Sequence, residues 1–106
     1  MKKKILNMLG LAMKAGCVAS GETAAENALI AGTARFLILA ADASANSRKH
    51  FADMARFRKL PYTVWGSKEE LGHAIGKAER SAVILTDQGF AGRISEMIRT
   101  ESTEEQ

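Results

Sequence analysis

Gly21 is followed by a helical pattern, so the turn that it forms opens a helix whose first amide N–H groups are free to hold an anion. Lys14 and Arg35 flank that helix in the sequence. The stretch Gly76-Lys77-Ala78-Glu79-Arg80-Ser81 brings two more cations just ahead of an apolar run. Cationic side chains around a helix N-terminus suit phosphate, although the same residues also read as solvated charges. Residues His50, Arg56, Arg58 and Lys59 form a second basic group, either a separate patch or a solvent face. Phosphate contacts supply affinity, whereas sequence choice needs groups that reach base edges.

Catalytic patterns are sparse by comparison. The chain has no Walker-type phosphate loop, no glycine-rich dinucleotide turn after a strand, and no His or Cys pair at metal spacing. Asp42 and Asp87 follow apolar runs, where enzymes of the α/β class place functional acids, but Asp is also a turn former and helix cap. Cys17 is the single cysteine, which excludes an intrachain disulfide, and no histidine stands near it in the sequence. A small core residue is its expected role. The sequence therefore reads as non-enzymatic, with no metal and no cofactor.

Charge points the same way. The 106 residues carry 15 Lys and Arg against 12 Asp and Glu. Three of those acids, Glu101, Glu104 and Glu105, fall in the last six residues, read as an acidic disordered tail over 101–106. Residues 1–100, read as one domain, then hold a net six positive charges, which leans toward an anionic partner such as nucleic acid. Lys2-Lys3-Lys4 and the apolar residues after it resemble a secretory leader. Asn7 breaks that run, and positions 5, 6, 9, 12 and 13 follow the period of an amphipathic helix. No stretch approaches the length of a membrane span. The expected location is the cytoplasm, with no membrane partner.

The elements that must position these groups alternate along the chain. A first helix over Lys2–Ala15 stops at Gly16, and Val18-Ala19-Ser20 is a short strand. A second helix runs from Ser20 or Gly21 to Ala31, and Phe36–Ala40 is an apolar strand covered on both faces. A third helix spans Ser44 to about Lys59, with apolar residues at 51, 54, 55 and 57. Tyr62–Trp65 is a strand, and Ser67-Lys68-Glu69-Glu70 is a capping box for a fourth helix ending near Gly76. Ala82–Thr86 is the last strand, before a fifth helix over Phe90–Arg99. Single helices between strands imply a largely parallel sheet inside a three-layer α/β/α sandwich.

Several of these segments resemble the L-seven-Ae and L-thirty-e ribosomal protein family. They are Gly21–Ala31, Gly32–Ala43, Leu60-Pro61-Tyr62 and Ser67–Gly76, in an order that spans about residues 4–92. Gly-His-Ala-Ile-Gly-Lys and Thr86-Asp87-Gln88-Gly89-Phe90-Ala91 most resemble its bacterial YlxQ-like branch. The resemblance implies a mixed four-stranded sheet and binding of structured RNA, ribosomal or messenger. It also implies association with the ribosome or translation factors. Its RNA-binding set falls on Gly21, Glu22, Thr23 and Asn27, with Lys14, Arg35, Lys77 and Arg80 around them. Many members bind kink-turn RNA through Gly-Thr-Asn-Glu-x-x-Lys. Here the Asn position holds Thr23, the Glu position Ala24 and the Lys position Asn27. The second contact loop, usually an apolar Ile-Glu-Val segment, is Lys77-Ala78-Glu79 and one residue shorter. An adaptor that binds proteins of the translation machinery, having lost kink-turn binding, is the alternative.

Overall fold

The computed structural model describes residues 1–104, and in them helices and strands alternate. In chain order they are α1 (Lys2–Lys14), β1 (Val18–Ser20), α2 (Glu22–Ala31), β2 (Phe36–Leu39), α3 (Ala45–Phe57), β3 (Tyr62–Val64), α4 (Lys68–Ala74), β4 (Ala82–Leu85) and α5 (Gln88–Glu104). Helix α1 buries Ile5, Leu9 and Ala12, the stripe that the apolar period marks out. Strands β2 and β4 are buried along their whole length, so their unbroken apolar runs face helices on both sides.

The pleat divides those two strands between two cores. Phe36, Ile38, Val83 and Leu85 pack under α1, α4 and α5, against Ile5, Leu9, Leu71 and Ile94. Leu37, Leu39, Ala82 and Ile84 pack under α2 and α3, against Ala25, Leu29 and Phe51. The result is the expected α/β/α sandwich.

The sheet is mixed, as the resemblance implies, and not largely parallel as the alternation of elements suggests. Its order is β1-β4-β2-β3. Only β2 and β3 pair in parallel, while β4 lies antiparallel to both β1 and β2. The cause is the path of the chain around α4. That helix has seven residues, and the segment after it doubles back along its side. The Lys77 amide donates to Gly72 O at 2.9 Å and the Arg80 amide to Lys68 O at 3.0 Å. Strand β4 therefore starts at the end of the sheet where β3 finishes. One end of the sheet thus collects the segments after β1, β2 and β3 and the segment before β4.

Helix α5 runs beyond the expected Arg99, and residues 101–104 are helical where a loose tail was expected. Glu101 continues the buried stripe of Ile94 and Ile98 and is only 8% exposed. Its Oε1 accepts a hydrogen bond from the indole Nε1 of buried Trp65 at 2.8 Å. A buried indole N–H needs an acceptor, and this carboxylate supplies it. Glu105 and Gln106, the rest of the expected tail, lie outside the described residues. Replacing Glu101 by alanine leaves the indole N–H unpaired, which is expected to cost about 1–3 kcal/mol in urea denaturation. A change below about 0.5 kcal/mol would mean that the bond contributes little.

Candidate nucleic-acid interface

Gly21 sits between β1 and α2 with φ 89° and ψ 157°, a backbone region open almost only to glycine. Its amide donates to Ala82 O at 3.3 Å, and its carbonyl accepts the first bond of α2, from Ala25 N at 2.9 Å. Glycine offers no side-chain cap, so the first-turn amides of α2 stay available to an anion. Glu22 follows with an exposed carboxylate, to which Ser47 Oγ on α3 donates at 2.8 Å. Thr23, Ala24 and Asn27 are exposed, and Thr23 and Asn27 share one face one turn apart.

The returning segment after α4 forms the other wall. Arg80 folds onto its own loop, with Nη1 donating to Glu79 O at 3.0 Å and Ala78 O at 3.4 Å. Its Nε is buried and has no partner among the described residues. That atom lies beside Gly21, 3.8 Å from where a Cβ would stand. Lys77 is exposed on the same segment. Gly72 lets the segment lie against α4, since a Cβ there would be 1.9 Å from Ala78 O. Asp42 Oδ1 accepts from Lys68 N at 2.8 Å, and Ser67 and Glu70 form the expected capping box. The Lys2 ammonium, 3.1 Å from Glu70, and the Ser67 amide hold the Glu70 carboxyl below its usual range.

The fold therefore brings Gly21, Glu22, Thr23 and Asn27 into the same region as Lys77 and Arg80. It does not bring Lys14 and Arg35 there. Arg35 N donates to Leu85 O and Thr86 N to Cys17 O, so both residues lie toward the opposite end of β4. Flanking α2 in sequence is not flanking its N-terminus, because ten helical residues span about 15 Å. A glycine inside a helical pattern is the sequence signal for Gly72, and local pattern does not show what it meets.

Asp42, Asp87 and Cys17 each make a local contact. Asp42 caps α4, and Asp87 Oδ2 accepts from Phe90 N at the start of α5. Cys17 Sγ lies 3.6 Å from Ala15 O. His50 pairs with Glu26 at 3.6 Å and stands edge-on to Phe51. Among the described residues no group of His, Cys, Asp and Glu is placed to hold a metal ion, and no helix is long and apolar enough to cross a membrane.

Comparison with known proteins agrees with this architecture. The model of the ribosomal protein L7Ae/L30e/S12e/Gadd45 family matches residues 3–94. The chain is 37% identical over 91 residues to the RNA-binding protein YlxQ of Bacillus subtilis, covering 86% of this chain and 91% of that one. It is 32% identical over 97 residues to the protein of the same name from Enterococcus faecium, covering 92% and 93%. A solved protein of unknown function from Bacillus halodurans superposes with a TM-score of 0.87 at 33% identity, over 91% of this chain and 97% of that one. The 15.5 kD RNA binding protein of Giardia lamblia shares the fold, with a TM-score of 0.72 at 22% identity over 91% and 82%. The chain belongs to the ribosomal protein L7Ae/L30e/S12e/Gadd45 family.

Proposed function

We propose that this chain is a non-enzymatic, cytoplasmic RNA-binding protein that works with the ribosome or the translation machinery. The observation that carries the reading is the uncapped N-terminus of α2 at Gly21, set beside Arg80 and on the same end of the sheet as Lys77. Phosphate oxygens accept from the free amides and from both cations, and Thr23 and Asn27 line the approach. The names of the Bacillus and Enterococcus relatives support RNA as the ligand. The net positive charge of residues 1–100 adds to its attraction.

Fluorescence anisotropy with structured ribosomal fragments and messenger leaders tests this reading. Binding is expected at low salt, with log affinity falling linearly as log salt rises. Lys77→Gln with Arg80→Gln should flatten that slope by about 1–2. Affinity that stays weaker than about 10⁻⁴ M for all such RNAs would reject the reading. In that case, co-purification that survives nuclease would favour a protein-binding adaptor.

A further inference from the structure

A second basic surface lies beyond the far end of α2, away from Gly21. Arg58 reaches a carbonyl in the last turn of the helix there, and Arg35 reaches carbonyls of the turn that follows it. Arg35 Nη1 donates to Gly32 O and Ala34 O, both at 3.1 Å, and Arg58 Nε donates to Leu29 O at 2.8 Å. Both arginines line one depression of about 400 Å³, with Ile30 and Leu60 among its apolar walls. Neither pairs with a carboxylate among the described residues. No acid occurs from Ala28 to Ala41 or from Met54 to Trp65. Asp53, just before, is already bound by Lys49 and Arg56.

Closing the end of α2 and the turn after it explains the carbonyl contacts of the two arginines but not their surroundings. Phe57, at the end of α3, is 83% exposed, and the Arg58 guanidinium lies 5.5 Å from its ring centre. By type Phe57 belongs with the apolar residues of the third helix. It stands out of phase with the buried pair Phe51 and Ala55 and turns to solvent. Lys59 follows with φ 55°, the left-handed position that closes the helix. The equivalent closing positions after α1, α2 and α4 are Gly16, Gly32 and Gly76. A lysine there keeps a cation on this surface at a backbone cost that glycine avoids.

We propose that Arg35, Arg58, Lys59 and Phe57 form a second RNA contact, which takes an unpaired segment of single-stranded RNA. A base stacks on the exposed face of Phe57, with Arg58 on the same ring. Backbone phosphates meet Arg35, Arg58 and Lys59, whose remaining N–H groups have no acid to satisfy them. A duplex offers no free base face, so the unpaired strand is the form that fits. The site shares no residue with the Gly21 end, because the structure places Arg35 here.

Anisotropy of a fluorescent ten-nucleotide oligouridylate on the whole chain tests this site by itself. Phe57→Ala should weaken binding about tenfold while thermal unfolding stays unchanged, because the ring is exposed. Arg35→Gln with Arg58→Gln should flatten the salt slope by about 1.4, at about 0.7 per phosphate contact on a single strand. Lys77→Gln with Arg80→Gln should leave oligouridylate binding nearly intact, which separates this site from the Gly21 end. Wild-type protein that fails to bind the oligouridylate at low salt would overturn the proposal. So would unchanged binding by Phe57→Ala, including the case where that variant instead loses a nuclease-resistant protein partner.

Discussion

Gly72→Ala is expected to destabilise the protein by about 2 kcal/mol or more, and to weaken structured-RNA binding at least tenfold. Alanine within a helix normally adds about 0.5–1 kcal/mol over glycine, so the opposite sign is diagnostic. The added Cβ would meet Ala78 O at 1.9 Å, Ala78 C at 2.6 Å and Glu79 Cα at 3.1 Å. All three are backbone atoms, so no side-chain rotation relieves the overlap. Helix α4 cannot retreat either, because Leu71 beside Gly72 is fully buried against the sheet. The segment of Lys77 to Arg80 must lift, straining the bonds to Gly72 O and Lys68 O that hold it. Arg80 then leaves Gly21, and the two walls of the site separate. Gly10→Ala is the comparison, since its nearest contact, Ala74 O, is 3.0 Å away and the expected loss is smaller. Urea denaturation and anisotropy read the two effects. A stabilised Gly72→Ala variant would show that the returning segment does not lie across α4.

That crossing also marks the boundary of what the sequence discloses. The runs Phe36–Leu39 and Ala82–Leu85 are apolar at every position, which is enough to announce strands covered on both faces. Ser67 and Glu70 announce the start of α4 through chemistry that is complete within four residues. The direction of β4 is different in kind. It depends on whether the chain after a short helix continues onward or turns back, and that is decided by Gly72 meeting Ala78 across a tertiary contact. A crossover rule applied to the order of elements assumes that each helix returns the chain to the opposite end of the sheet.

The site was legible to the same depth. Gly21 and Thr23 share a helix start, and Lys77 and Arg80 share a loop, so each pair follows from local pattern. Arg35 flanks α2 in the sequence, while the ten-residue helix carries it away from Gly21. By its charge and its polar neighbours Glu101 reads as solvated tail. Its partner, Trp65, lies 36 residues earlier and is invisible to any local reading. Phe57 lies in the same helix as Phe51 and Ala55 but out of their phase, and its exposure follows from that phase rather than from its apolar type.

Unaltered protein is expected to bind a standard kink-turn weakly or not at all, several orders of magnitude below a relative with the full motif. A kink-turn presents tandem sheared G·A pairs, whose exposed edges need donors and acceptors on side chains long enough to reach them. The family pattern supplies an amide and a carboxylate for the edges and a lysine for phosphate. Thr23 is short, Ala24 carries no polar side-chain atom, and Asn27 has no charge. Each missing edge contact costs about 1–3 kcal/mol, by analogy with base readout in DNA. The structure makes the repair feasible, because all three positions are exposed while Ala25, Ala28 and Leu29 face the core. A glutamate at 24 also lies in the first turn of α2, where the helix dipole favours an anion. Thr23→Asn, Ala24→Glu and Asn27→Lys together should therefore raise kink-turn affinity at least tenfold, or about 1.4 kcal/mol, without loss of stability. Nanomolar binding by the unaltered chain would refute the first expectation. A folded triple variant with no gain would place the defect in the shortened Lys77–Ser81 segment, which has cations where the family presents an apolar surface.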